Sequence, residues 1–398
     1  MKKNLALVLV AALVVAVAGC APKSETGTAT TAAGGGEILV GEYGSLTGPQ
    51  GTFGTSTHNG IMMAIDEINA NGGVNGKKIK VITEDDQSKQ EEAATAVTKL
   101  ISENNVVAVL GEVASSCSLA AAPICQQNKV PMITPSSTNP EITKKGDYIF
   151  RTCFTDDYQG HSLADYVLSE GIKNAALLTD VKSDYSQGLG HFFEERFTAG
   201  GGKIVARASY ANGDSDFRAQ LTTVKASNPQ ILFVPGYYTD IGQIAQQAHD
   251  LGLNAPLVGG DGWESPKLIE IGGKALEGSY YSNHYFYGDP TPMVHEFVQK
   301  YKDRFGATPD GMAALAYDAA RVLADSLKRA KSTKGSDLRD AIAATKNFQG
   351  VTGMITIGPD RNALGKKLVI EEVKGGQLTL KATVDPQKNA TGAATATH

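Results

Sequence analysis

Apolar positions along the chain keep two alternating rhythms. Short β-branched runs of strand character are separated by longer stretches in which apolar residues recur every three or four positions, as on one face of a helix. EILVGEY (37–43) reads as a strand, THNGIMMAIDEINANGG as a helix closed by Gly72 and Gly73, and KKIKVITEDD as a strand. A helix over about 89–103, the strand VVAVLG, a helix over about 116–128 and the strands PMITP and YIFRTCF follow. Connections this long are crossovers rather than hairpins, so the pattern predicts parallel strands covered by helices on both faces, a doubly wound α/β lobe.

The pattern then restarts. Helices over about 157–171, 187–199, 217–226 and 241–251 alternate with the strands NAALLTD, KIVARASY, QILFVPG, PLVGG and GSYYSN. Two long helical stretches (293–305 and 311–330), a shorter one (336–344) and the strands GMITIG, KLVIEEV and QLTLKAT complete the chain. The expectation is two similar α/β lobes, 37–155 plus 285–347 and 156–284 plus 348–384, with strand ends lining a shared cleft. If the late helices return to the first lobe and the last strands to the second, three crossings join the lobes, a hinge that permits closure about a ligand.

The first twenty residues follow neither rhythm. Lys2 and Lys3 precede an apolar run over 5–18 that is short for a bilayer span, and small residues and Cys20 follow it. This is the architecture of an export signal, residues 1–19. Val17-Ala18-Gly19-Cys20 resembles a lipobox, so Cys20 is the expected lipidation site and the protein an extracytoplasmic, membrane-anchored lipoprotein. Residues 20–36 are small and polar and read as a flexible tether, and 385–398 as a disordered tail. No second segment approaches the length of a membrane helix.

Charge and cysteine content exclude several functions. Lys plus Arg number 37 against 42 Asp plus Glu, and the basic residues are dispersed, so no nucleic-acid footprint is present. Besides Cys20 there are Cys117, Cys125 and Cys153. Cys117 and Cys125 lie eight residues apart on one expected helix, about 12 Å of rise and beyond disulfide reach unless Pro123 breaks the helix; whether Cys153 pairs with either is open. There is no metal-ligand spacing, HExxH, phosphate loop, nucleophile elbow or strand-linked GxGxxG. Asp85 and Asp86, in EDDQSKQEE, read as a solvated strand end and helix start. Neither a cofactor nor a metal is expected.

GEYGSLTGPQGTFG, AIDEINANGGVNGKKI, GEVASSCSLAAAPI, VPMITPSSTNPEIT, YIFRTCFTDDYQG and VPGYYTDIGQIAQQAHDLGL, in that order and spacing, resemble the branched-chain amino-acid (leucine/isoleucine/valine) binding proteins. These are type I periplasmic binding proteins that serve ABC importers. The resemblance covers essentially the whole mature chain and implies a zwitterionic ligand whose two charged ends need separate devices. It puts the carboxylate-binding serine on Ser115 and a threonine touching both charges on Thr138. Ala114 and Ser136 stand in the same two turns and are expected to share the contact. Hydroxyls and free N–H groups where a helix begins suit a carboxylate, although the same residues also serve as plain caps. Asp261 falls where the family has an acid, usually Glu, facing the amine; being one methylene shorter, it reaches the amine directly or through a water, or the ligand sits deeper. Tyr237 is implied to pack on the ligand and Tyr185 to oppose it from the cleft. Phe53 stands in place of an aromatic that closes over the ligand. Phe53 and Trp263 each either line the pocket or cap the core.

The resemblance therefore implies a non-enzymatic solute-binding lipoprotein. Its head is expected to be a monomer that captures an amino acid by lobe closure and delivers it to an ABC permease and ATPase complex. Two alternatives stay open at this level: a sensory protein presenting an amino acid, amide or urea-like ligand to a receptor, and an enzyme on the same fold.

Overall fold

The computed structural model describes residues 36–384; the export segment, Cys20 with its tether, and the tail from 385 lie outside the described residues. β1 (Ile38–Gly44) is buried at six of its seven positions, as a strand must be when helices cover both faces of its sheet. It is followed by α1 (Gly51–Ala70), β2 (Ile79–Asp85), α2 (Gln90–Ser102), β3 (Ala108–Leu110), α3 (Ser115–Asn128), β4 (Met132–Thr134) and β5 (Ile149–Arg151). These strands form one sheet in the order β2-β1-β3-β4-β5, parallel throughout.

The second run gives α4 (Asp156–Ser169), β6 (Asn174–Asp180), α5 (Asp184–Ala199), β7 (Lys203–Tyr210), α6 (Arg218–Ala226), β8 (Ile231–Phe233), α7 (Tyr238–Asp250), β9 (Leu257–Gly259), α8 (Pro266–Gly272) and β10 (Tyr280–Asn283). The chain then forms α9 (Pro292–Phe305), α10 (Gly311–Arg329), α11 (Gly335–Ala343), the hairpin of β11 (Phe348–Gly350) and β12 (Gly353–Ile355), and finally β13 (Leu368–Lys374) and β14 (Gln377–Val384). The second sheet runs β14-β13-β10-β9-β8-β6-β7, with β13 and β14 antiparallel. The late helices pack on the first sheet and the last strands join the second. The chain therefore crosses between the lobes three times, after β5, after β10 and between β12 and β13.

Two local features differ from the sequence expectation. α1 begins at Gly51 rather than near Thr57, because GTFGTS carries a single apolar side chain and so shows no period. Phe53 consequently lies in the first turn of a helix, not in a loop. The 348–357 segment was expected with the second lobe, but its strands pair only with each other. Val351, Ile355 and Ile357 are buried in the same cluster as Val40, Leu110 and Leu323, so this part of the boundary is corrected toward the first lobe. The three cysteines are buried free thiols.

Helix packing in the first lobe depends on one glycine. α1 and α10 approach so closely that a Cβ at Gly60 would stand 2.2 Å from the Ala313 carbonyl oxygen. Gly60→Ala is expected to lower stability by about 1–3 kcal/mol through overpacking, measured as a shift in the denaturation midpoint at unchanged m-value.

At the second crossing a buried acid ties the lobes. Glu264 accepts hydrogen bonds from the Tyr281 hydroxyl (2.7 Å), Asn283 Nδ2 (2.6 Å) and the Gly311 N–H at the head of α10 (2.9 Å). Burial, with Asp310 nearby, pushes Glu264 up to about 7. Among the described residues no helix is long and apolar enough to cross a membrane.

Candidate functional site

Loops leaving the carboxyl ends of parallel strands line the cleft of an open α/β sheet, and here they bring hydroxyls and free N–H groups together in the first lobe. After β3 the chain turns into α3 with Ala114 at the cap position, where no side chain caps the helix. Its first-turn N–H groups therefore remain available to an anion. Ser115 is buried, and its hydroxyl accepts from the Asn139 N–H at 3.3 Å. The turn after β4 carries Ser136 and Thr138, both buried. The Ser136 hydroxyl has no hydrogen-bond partner, so it is unspent. The two turns are tied by neighbouring residues: Thr134 Oγ1 and Ser137 Oγ each donate to the Glu112 carbonyl at 2.7 Å.

The second lobe supplies acid. Asp261 opens a short 3-10 turn after β9 and is 3% exposed. Its Oδ1 accepts from Gln159 Nε2 (2.8 Å) and from the Tyr185 hydroxyl (2.9 Å), and its Oδ2 lies 2.8 Å from His284 Nε2. The Tyr185 oxygen also accepts the Gly262 N–H at 3.0 Å. Burial pushes His284 below its ordinary value although Asp261 opposes this, so the ring is neutral and donates from Nε2. Three neutral donors thereby orient the carboxyl group.

A second acid lies beside it. Asp156, the first residue of α4, is fully buried, and its N–H donates to the Thr138 carbonyl at 2.9 Å. Burial first and Asp261 second hold its carboxyl well above the usual range; the Thr138 hydroxyl and Arg151 oppose them. Among the described residues, no lysine or arginine forms an ion pair with Asp156 or Asp261. Asp261, held by neutral donors alone, and Asp156, whose two buried carboxyl oxygens have no hydrogen-bond partner, make a site suited to a cation with several N–H groups.

Aromatic rings complete the wall. Tyr237 stacks face to face on Tyr185 (centroids 5.3 Å, 12°) and receives Phe53 edge-on at 5.7 Å. Phe53 also meets Tyr238 edge-on at 5.0 Å. Trp263 takes the core alternative: it is fully buried, donates from Nε1 to the Val234 carbonyl at 3.0 Å, and covers Gly259 so closely that a Cβ there would stand 2.1 Å from the indole.

The lobes are shut. Thr52 Oγ1 and Ser265 Oγ are 2.9 Å apart, Thr239 Oγ1 donates to the Pro49 carbonyl (2.7 Å), and Ser116 Oγ donates to Asp184 Oδ2 (2.7 Å). Asn139 Nδ2 donates to the Asp184 carbonyl at 3.0 Å. The structure gathers Ala114, Ser115, Ser136 and Thr138 from the first lobe, Tyr185, Tyr237 and Asp261 from the second, and Phe53 from α1. Sequence reasoning passed over Asp156, Gln159 and His284. The acid pair Asp156-Asp157 at a helix start was the one available signal, and it is also ordinary helix-dipole chemistry.

The fold has known counterparts. A family model described as periplasmic binding protein matches residues 37–377. The chain is 29% identical over 354 residues to the Leu/Ile/Val-binding protein BraC3 of Rhizobium johnstonii, covering 86% of this chain and 93% of that one. The crystal structure of a leucine binding protein LivK from Thermotoga maritima superposes with a TM-score of 0.85 at 37% identity, over 88% of this chain and 99% of the other. The branched-chain amino acid transporter substrate binding protein LivJ from Streptococcus pneumoniae, solved in complex with isoleucine, gives 0.83 at 33% identity, over 88% of this chain and all of the other.

Proposed function

Since the chain belongs to the periplasmic binding protein family, in its branched-chain amino-acid type I branch, we propose that it captures a branched-chain or similar aliphatic α-amino acid by lobe closure and delivers it to an ABC importer. The observation that carries this reading is the meeting of Thr138 and Asp156 through a main-chain hydrogen bond. It joins the hydroxyl-rich, uncapped start of α3 to a pair of acids that lack a cationic partner. The carboxylate of the ligand engages the first-turn N–H groups of α3 after Ala114, whose own N–H is held by Glu112, and the hydroxyls of Ser115, Ser136 and Thr138. Its ammonium engages Asp261 and Asp156, and its side chain meets Phe53, Tyr185 and Tyr237.

Closure follows because only the shut form presents both halves at once; the ligand shifts the equilibrium by that differential contact. The proposal includes no catalytic step. It includes a lipid on Cys20 that keeps the head near its permease at raised effective concentration.

Mass spectrometry of ligand carried through purification, followed by calorimetry with leucine, isoleucine, valine, their amides and simple carboxylic acids, tests the reading. Tight binding of the free amino acids and loss of binding for the amides is the expected result. Binding of carboxylic acids that lack an amine, with no binding of amino acids, overturns it. Cys20→Ser is expected to move the protein from the membrane to the soluble extracytoplasmic fraction.

A further inference from the structure

Glu112 makes no contact assigned above to a ligand, yet it touches both first-lobe turns that carry the carboxylate-binding hydroxyls. Its carbonyl takes the Thr134 hydroxyl at the end of β4 and the Ser137 hydroxyl in the turn that follows. Its Oε1 accepts from the Ser45 N–H at 2.9 Å, just beyond β1, and its Oε2 accepts from the Ala114 N–H at the head of α3. The Ser45 hydroxyl lies 2.6 Å from Glu112 Oε1 and 3.1 Å from Asp86 Oδ1. Asp86 Oδ1 also accepts the Ser88 N–H at 3.0 Å, whereas its Oδ2 is buried with no partner. Glu112 and Asp86 are 1% and 0% exposed.

Proton counting fixes the state of this chain. Two oxygen–oxygen contacts flank one serine hydroxyl, which brings one proton, so the second hydrogen bond needs a proton from a carboxyl. With both acids ionised, two charges would stand buried without a cation, a state that costs several kcal/mol per ion. The titratable groups around Glu112 supply no cation: Tyr43 on β1, Asp85 and Asp86 at the end of β2, Glu91 on α2, Cys117 and Cys125 on α3, and Tyr237 across the cleft. A carboxylate oxygen of each acid and Cys117 Sγ lie within 4.8 Å of one another. A metal there would need the thiolate, and burial drives the Cys117 thiol far above its ordinary value. The N–H groups already bound to Glu112 also occupy the lone pairs a metal would use.

We propose that Glu112 is a positioning residue, sharing a single proton with Asp86 through Ser45, and that this proton sets the charge beneath the carboxylate-binding turn at Ala114-Ser115. The effect on binding rests on the amino-acid reading; the shared proton does not. Burial first and Asp86 second push Glu112 up to about 8, and burial pushes Asp86 up to about 6. The proton is therefore held below about pH 8 and lost above it. Its loss takes the pair from one negative charge to two, which repels a bound carboxylate, so affinity falls as pH rises through that value.

Infrared difference spectra of the full chain without ligand test the proton directly. At neutral pH Glu112→Gln and Asp86→Asn should each remove one protonated-carboxyl band, because either amide leaves the remaining acid with enough donors to ionise. Retention of that band in Asp86→Asn, its absence from the wild type, or a stoichiometric metal in the purified protein overturns the proposal. Calorimetry with L-leucine tests the positioning. Wild-type affinity should fall roughly threefold to tenfold more than that of Glu112→Gln between about pH 8 and pH 9, the variant's own change reporting the ligand amine. Glu112→Gln should bind at least about tenfold more tightly than Glu112→Ala. Parallel pH profiles overturn the proposal. Failure of the wild type to bind L-leucine at any pH removes the amino-acid reading instead, and the infrared result then decides the shared proton.

Discussion

Asp261→Ala is expected to abolish measurable binding of α-amino acids, a loss of about 3–5 kcal/mol or roughly two to four orders of magnitude in affinity. Two losses add. The ligand ammonium loses its oriented counter-charge in a closed, water-poor site, and the Gln159, Tyr185 and His284 donors that converge on the carboxylate lose their common acceptor. Leaving buried donors unmatched costs about 1–3 kcal/mol each where water cannot replace the acceptor, so the variant should also melt earlier. Asp261→Asn separates the two effects. Its amide oxygen can still accept from Gln159 and Tyr185, which preserves most of the stability, but the charge is gone and amino-acid binding should remain weak. Calorimetry with L-leucine, together with thermal melts of both variants, checks this. Affinity close to wild type in Asp261→Ala would sink the assignment of the amine end.

How much of this was legible in the sequence differs from residue to residue. The alternation of strands and helices, and hence two doubly wound lobes, follows from hydrophobic period, because a parallel strand covered on both faces has to be an apolar run; the three crossings do not, since the period does not say to which lobe the late helices and strands return. Ser115 and Thr138 stand at strand-to-helix and strand-to-turn junctions that the same pattern locates, but at such junctions they are equally plain caps, and it was the family resemblance that singled them out. The start of α1 could not: GTFGTS is helical because Phe53 is buried against Tyr237 and Tyr238 of the other lobe, and a contact across about 185 positions leaves no local trace. The hairpin at 348–355 was misplaced for a related reason. Its apolar residues alternate as a strand's would, but alternation does not say which of two cores receives them. Trp263 was an even choice between pocket and core because its neighbours in sequence, Gly262 and Glu264, are compatible with either.

The acids are the sharpest case. Asp156, Asp261 and Glu112 come from different elements, and each alone looks like a turn or cap residue. Only the fold reveals that they are buried and without cationic partners, which is what gives them chemistry.

Arg151 was equally silent, and it carries the second large expected effect. It ends β5, is fully buried, and spends its guanidinium on three acceptors: Asn362 Oδ1 from Nε (2.8 Å), the Ser137 carbonyl from Nη1 (2.9 Å) and the Asn139 carbonyl from Nη2 (2.7 Å). Its own N–H donates to the Arg361 carbonyl at 3.1 Å. The residue thus fastens the third crossing of the hinge to the turn that presents Ser136 and Thr138. Burial pulls its pKa down from the ordinary arginine value, while Cys153 and Asp156 hold it up, and the cation persists because it has no better state to adopt. Arg151→Ala removes all three donors and leaves two main-chain carbonyls and the Asn362 oxygen short of partners. The expected cost is about 3–5 kcal/mol of stability, with amino-acid binding weakened at least about tenfold because the turn loses its fixed geometry. Arg151→Lys discriminates between charge and shape: a single ammonium cannot reach three acceptors set out for a planar fork. It should therefore recover part of the melting temperature and little of the affinity. Melts with and without saturating L-leucine, beside calorimetry of the three proteins, measure both quantities. If the lysine variant regained full affinity, charge alone would be responsible and the tie between hinge and binding turn would not exist.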